Sequence, residues 1–398
     1  MIYSHSMLTK AIALAVAVAL ATASAAGCTS VQVETSPTPT NTSTAAVTAT
    51  LSPTPSPSAV RTSPLTGLPE AAPRPILIVK LDNTRNAQPH AGLAQADVVF
   101  VEEVEWGLNR IAAVFSSTIP KRIGPVRSAR ISDIDLVAQF GQPAFAFSGA
   151  QHKLWPALEA ASFIDVSANK GGTGYSRDAD RRAPYNYFAD GTTLLKRADG
   201  KESGTADVGF VFSDESPPGG RPAAIVKADW PYAAMRFAYD PAAGTYRVGM
   251  DGHEAIAEET SQAQQASTVV IQYVDQSDSG FGDRGGGHTP LLKTTGTGTG
   301  VVIRDGQAWD VRWSRPDEGS GTTWTMLDGT PMPFRPGQQW VVLMNRKTPV
   351  TIRSAPTPVP DGTASSSAGA ARSSSPTPMS TSEQAHGAAP SASTAASR

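Results

Sequence analysis

The chain has 398 residues, and its 33 Lys+Arg against 35 Asp+Glu leave a formal net charge of -2, which excludes a whole-chain basic field of the kind that draws nucleic acid or anionic lipid. Hydrophobic residues make up 40% and charged residues 17%, with 35 Gly and 32 Pro, so long stretches cannot bury a core. A single cysteine excludes an intramolecular disulfide and any zinc site built on several thiolates.

In chain order, Lys10 is followed by an apolar run at 11–22, AIALAVAVALAT. That is the length of a signal-peptide core and short of the roughly 20 residues a spanning helix needs. Ala25, Ala26 and Gly27 then lead to Cys28. A small-residue run ending in the chain's one cysteine resembles the lipobox of bacterial lipoproteins, where the leader is cut before the cysteine and the thiol receives a diacylglyceryl group. This resemblance implies a signal peptide over 1–27, lipidation at Cys28, and an extracytoplasmic protein whose first partner is the membrane. Ordinary secretion, with cleavage after one of the alanines, is the alternative. Residues 28–63 are Ser/Thr/Pro-rich with almost no charge and read as an extended tether. Residues 354–398 lack Phe, Trp and Tyr and read as a disordered tail.

Between these ends, strand-like runs stand at 75–81 (PILIVKL), 97–105 (DVVFVEEVE), 110–115 (RIAAVF) and 144–147 (AFAF). A helix is expected from about Ser128, with Ile131, Ile134, Val137 and Phe140 on one face, and another over 151–161. Beyond the turn-forming Pro217-Pro218-Gly219-Gly220, helical spacing gives way to short strands: MRFAY, TYRVG, TVVIQYV, GVVIRDG, AWDVRW and WVVLM. The expected fold class is α+β: an α/β domain with a mixed sheet over 64–220, then a smaller, mostly β domain over 221–353.

Apparent catalytic signatures fail on context. Ser167-Ala168-Asn169-Lys170 spells S-x-x-K but runs at once into Gly171-Gly172-Thr173-Gly174, a loop instead of the required helix. The GTGTG run at 296–300 lacks phosphate-loop spacing and reads as a hairpin. His90, His152, His253 and His288 have no short metal-ligand spacing, so no metal or cofactor is expected.

The chemistry concentrates elsewhere. Asp82 and Asn83 end the first apolar strand, where open sheets gather ligands. Strict alternation along 97–105 puts Glu103 and Glu105 with Asp97 on one face, and Glu102 with Val98, Phe100, Val104 and Trp106 on the other. Glu102 therefore requires either a compensating cation or a break in register. The run from Lys121 to Arg130 carries four basic residues and no acid. Asp82, Asn83, Glu105, Arg110, Arg127 and Arg130 are the candidate ligand-binding residues, converging on one anion-binding site. The alternative is that the arginines pair with Glu105, Glu103 or Asp133 and brace the domain.

At Asp82-Asn83, Gly92-Leu93, Ala96-Asp97, Val104-Glu105, Gly107, Arg110, the run IGPVRSAR at 123–130, Arg182-Ala183-Pro184 and Asn186, the chain resembles the YerB-type bacterial lipoproteins, two-domain proteins of unassigned function. It departs from their pattern at Tyr185 and at Ser148-Gly149-Ala150, where histidine is usual. The resemblance implies an envelope lipoprotein acting near the cell wall. With no intact catalytic motif, the expected function is binding or scaffolding, with a wall glycan or an envelope protein as partner; the alternative is a glycan- or peptidoglycan-modifying enzyme using Glu102, Glu103 or Glu105 as acid and base.

Overall fold

The computed structural model describes residues 61–355, except 205 and 284. The expected signal peptide, Cys28, nearly all of the tether and the tail beyond 355 lie outside the described residues.

Three strands open the fold: β1 (Leu77–Asp82), β2 (Val98–Glu103) and β3 (Asn109–Phe115). Nearly every residue in them is buried, as near-continuous apolar runs covered on both faces require. β3 lies between the other two and antiparallel to both, so Arg110 is opposite Asp82 on one side and Glu102 on the other. β4 (Ala144–Ala146) and β5 (Ile164–Asp165) extend this sheet in parallel beyond β1.

Helices are few and short: α1 (Ser132–Ala138), α2 (Trp155–Ala160) and α3 (Gly191–Ala198). The first half is thus less helical than an α/β pattern implies. α1 does not begin at Ser128. That residue lies in a strap held by Arg127 N–H to the Lys80 carbonyl (2.8 Å) and Ala129 N–H to the Gly149 carbonyl (2.9 Å). The helix start is fixed instead by Asp133, whose Oδ2 accepts the Arg130 N–H at 2.6 Å. The expected face survives: Val137 and Phe140 are buried, and Ile131 and Ile134 pack at its margin. The segment expected as one helix over 151–161 begins as a 3-10 turn, His152–Leu154, before α2. α3, capped by the Asp190 side chain on Thr193 N–H, was not expected from the sequence.

The second half is almost entirely strand. β6 (Ile225–Trp230), β7 (Ala233–Asp240) and β8 (Thr245–Met250) form an antiparallel meander with alternating burial. Then come β9 (Thr268–Gly282), β10 (His288–Lys293), β11 (Gly296–Arg304), β12 (Gln307–Arg315), β13 (Thr323–Met326), β14 (Gln339–Asn345) and β15 (Val350–Arg353). β15 returns to pair with β6. The GTGTG run lies in a hairpin, as the start of its first arm. It opens β11 and pairs with β12, because Gly298 admits the Trp313 ring, which would lie 2.5 Å from any Cβ there.

The main sheet runs β13-β12-β11-β9-β14-β2-β3-β1-β4-β5, with β10 beside β9 and Arg221–Pro222 beside β12, twelve strands in all. β14 is parallel to both neighbours, with Val341 opposite Phe100 of β2 and Val270 of β9. Strands from both sides of residue 220 therefore share one mixed sheet. On one face Val79, Val101, Ile271 and Trp340 join a core with Val226, Met235 and Phe237 of the meander. On the other, Ile78, Phe100, Ala112 and Val341 meet Val137 and Phe140 at α1 and Leu158 of α2.

Candidate functional site

On the helix-covered face, alternation aligns Ile78, Lys80 and Asp82 of β1 with Phe100 and Glu102 of β2 and Arg110 and Ala112 of β3. Two polar groups result, side by side across three strands.

The inner group is Lys80, Glu102 and Asp133, each side chain 0% exposed. Lys80 Nζ contacts the Glu102 carboxyl and lies 2.7 Å from Asp133 Oδ1. The question posed by Glu102 is answered by a cation: register holds through Glu102, and Lys80 compensates it. Burial, and next the charge of Asp133, push the Glu102 carboxyl up to about 8 against the opposing pull of Lys80. One cation facing two carboxyls is balanced when Glu102 keeps its proton.

The outer group holds most of the residues singled out from the sequence. β2 ends at Glu103, and a turn over Glu105–Gly107, with Trp106 at φ 66 and Gly107 at φ 64, follows it. The alternation that would set Glu105 beside Glu103 is therefore broken, and Glu105 instead meets Arg130. The Arg130 guanidinium grips it as a fork, Nε to Oε1 at 2.6 Å and Nη2 to Oε2 at 2.7 Å, the geometry that suits arginine to carboxylates. Thr289 at the start of β10 donates its hydroxyl to the same carboxylate. Burial would raise the Glu105 carboxyl, but the hydrogen bonds and charge of Arg130 hold it below the usual range. Arg127 Nε lies 2.6 Å from Asp82 Oδ2, while Asp82 Oδ1 accepts from Thr84 N–H and Oγ1.

Arg110 sits between these pairs and donates to the Ser128 carbonyl at 2.9 Å. Burial, then Arg130 and Arg127, lower its guanidinium to about 9, against the opposing pull of Asp82 and Glu105. It stays charged at neutral pH, so three guanidiniums face two carboxylates. Asn83 does not join them. It is buried at the end of β1, where its amide donates to Asn109 Oδ1 at 2.6 Å and approaches Met235 of the meander; the step past Asp82 turns it toward the other side of the sheet.

A cleft of 550 Å³ opens over the Arg130–Glu105 pair, walled by Ser128, Gln151, His152, Trp155, Gly282 and Asp283. Gln151 Oε1 is buried and accepts no hydrogen bond among the described residues. At the margin Trp106, 51% exposed, is held by its Nε1–H to Asp283 Oδ2 at 2.9 Å. Gln151, His152, Trp155, Thr289 and Asp283 were not among the sequence candidates, because the β9–β10 hairpin that brings the last two is far along the chain. Lys80 was also missed. Its signal was a lone lysine within the run LIVKL, otherwise apolar on both faces up to Asp82 at the strand end. Among the described residues, no group of three or more His, Cys, Asp or Glu is placed to hold a metal, and no helix is long and apolar enough to cross a membrane.

Comparison with known proteins locates this arrangement. Residues 65–205 match the N-terminal domain, and residues 226–341 the C-terminal domain, of the family described as Protein of unknown function (DUF3048). Over 293 residues the chain is 26% identical to the Bacillus subtilis (strain 168) protein named "Putative lipoprotein YerB", covering 70% of this chain and 85% of that one. The crystal structure of YerB from Bacillus subtilis superposes with a TM-score of 0.62 at 22% identity, over 73% of this chain and 99% of that one, a likeness of fold. With both domain matches in chain order on one mixed-sheet fold, the chain belongs to the DUF3048 family.

Proposed function

We propose that the protein is a membrane-anchored lipoprotein of the cell envelope that binds an anionic glycan of the wall. The anchor rests on the Ala25-Ala26-Gly27-Cys28 sequence and on the lipoprotein name of its relative; two or more acyl chains on Cys28 would hold it stably to the membrane. The observation that carries the binding reading is the Arg130 guanidinium lining the cleft, with Arg110 and Arg127 close to it and Trp155 and the unpaired Gln151 Oε1 beside it. A carboxylate or phosphate on a sugar would be drawn to that charge. Trp155 offers an apolar ring face for the sugar itself, and Gln151 Oε1 offers an acceptor for its hydroxyls. Glu105 is neutralised by Arg130 and Glu102 is wholly enclosed, which favours binding over acid–base chemistry at this cleft.

Calorimetric titration with soluble wall fragments tests this. Fragments bearing carboxylate or phosphate should bind, and Trp155→Ala should weaken them about tenfold. No binding by any fragment, with capture of an envelope protein through the same cleft, would replace the glycan with a protein partner.

A second reading, glycan modification, is favoured by Glu103. Its carboxyl is raised by burial, against a hydrogen bond with Gln276, and it lines a separate 320 Å³ cleft with Asp278 and His288. Cleavage of wall glycan by the intact protein, abolished by Glu103→Gln, would establish it.

A further inference from the structure

The Lys80–Glu102–Asp133 group has no part in the cleft, since all three side chains are at 0% exposure. It combines an amine, an acyl group in contact with it and an acid able to move protons, on a face shared with Ile78, Phe100 and Ala112. We infer that Lys80 and Asp133 condense into an amide, joining β1 covalently to α1, with Glu102 as the proton carrier.

Four observations support it. Lys80 Nζ is 2.7 Å from Asp133 Oδ1, which sets the carboxyl carbon one bond further, near the approach of about 3–3.5 Å from which bonds form. Asp133 Oδ2 accepts the Arg130 backbone N–H at 2.6 Å, a donor already placed for the oxyanion of a tetrahedral intermediate. The Glu102 carboxyl contacts Lys80, whose Nζ also contacts Asp133, so one acid stands at the nitrogen and beside the leaving oxygen. Its other oxygen, Oε2, has no hydrogen-bond partner among the described residues. Glu102 therefore lacks the oxyanion donor that Asp133 has, and this selects Asp133 as the acyl partner.

The step balances without oxidant or cofactor. Lys80 enters as the ammonium, Asp133 as the carboxylate and Glu102 as the neutral acid. One proton passes from Nζ to the Asp133 carboxylate, and the freed lone pair attacks Cγ to form the C–N bond. Glu102 then takes a second proton from the nitrogen while giving its own to the departing hydroxyl. The C–O bond breaks, one water leaves, and Glu102 is again protonated. The drive is electrostatic: a neutral amide replaces two buried charges whose removal from water is costly.

The test is peptide mapping of the full chain, digested with trypsin after denaturation so that no ion pair survives. The expected product is residues 62–85, uncut at Lys80, joined to residues 131–153 with the loss of one water. Glu102→Gln should slow bond formation by about 10²–10⁴-fold and release residues 62–80, 81–85 and 131–153 as separate peptides. Complete cleavage after Lys80 in the wild-type digest, with unmodified 131–153, would overturn the inference whether or not the variant folds. A bond formed as fast in Glu102→Gln would remove Glu102 from the reaction.

Discussion

Arg130 holds Glu105 by both arms of its guanidinium, at 2.6 and 2.7 Å, with the Glu105 side chain 5% exposed and that of Arg130 13% exposed. The pair is at once the floor of the cleft and a brace between the strap and the turn after β2. Arg130→Ala should therefore cost about 3 kcal/mol, because it leaves a buried carboxylate without its partner. Adding Glu105→Gln to that variant should recover part of the loss. Urea denaturation of both variants and of Glu105→Gln alone completes the cycle, and a double variant no more stable than Arg130→Ala would show that Glu105 finds another cation in its place.

The pH dependence of stability should carry the imprint of Glu102. Its folded-state carboxyl titrates at about 8, raised from 4.5, so between these values the folded chain holds a proton that the unfolded chain has lost. Stability from this group is complete below about 4.5 and is lost as pH rises toward about 8. Unfolding midpoints across that window should fall with pH and flatten in Glu102→Gln. The direction holds whether or not Lys80 is joined to Asp133, since burial is the largest cause. A midpoint that rises across the window at the same rate in both proteins would contradict it.

Trp106 depends on a glycine. A Cβ at Gly287 would lie 2.4 Å from the indole nitrogen, so Gly287→Ala should push the ring away from Asp283 and break their 2.9 Å hydrogen bond. The emission assigned to Trp106, by difference from Trp106→Phe, should shift to the red. An unchanged difference spectrum would mean that the β9–β10 turn yields instead.

Unfolding should be one event for both halves of the described region, since β14 lies between β2 and β9. Trp340→Ala, at a side chain wholly buried against Phe237, should cost about 3–5 kcal/mol. It should lower the transitions of probes in both halves together. Two separated transitions would mark the division near residue 220 as an energetic boundary.

Much of the strand content was legible because it is written locally. PILIVKL, RIAAVF, TVVIQYV and WVVLM all contain or overlap strands, since apolar runs bounded by turn residues leave few alternatives. The helix start was misplaced because Ser128 has the chemistry of a cap, while the strap's hydrogen bonds to Lys80 and Gly149 keep it extended. Pairing was not legible at all: nothing in VVFVEE says that its neighbour is WVVLM, more than two hundred residues on. The site divides in the same way. Charge and sequence proximity brought Glu105, Arg127 and Arg130 to attention, and Asp82 stood out at a strand end. Asn83 was misread because one step past a strand end reverses the side chain's direction. Lys80 was passed over because its partners, Glu102 and Asp133, are distant in sequence and reach it only through sheet register and α1.

The position of β14 has a consequence for timing. Synthesis runs from the amino end, yet the strand that covers the open edge of β2 is residues 339–345. A chain emerging from the ribosome, or threading a membrane pore, thus presents β1, β2 and β3 long before their sheet can close. Contacts of such long sequence separation form slowly, and an uncovered apolar edge is exposed to wrong pairing meanwhile. The topology therefore delays the folded state until the chain is nearly complete.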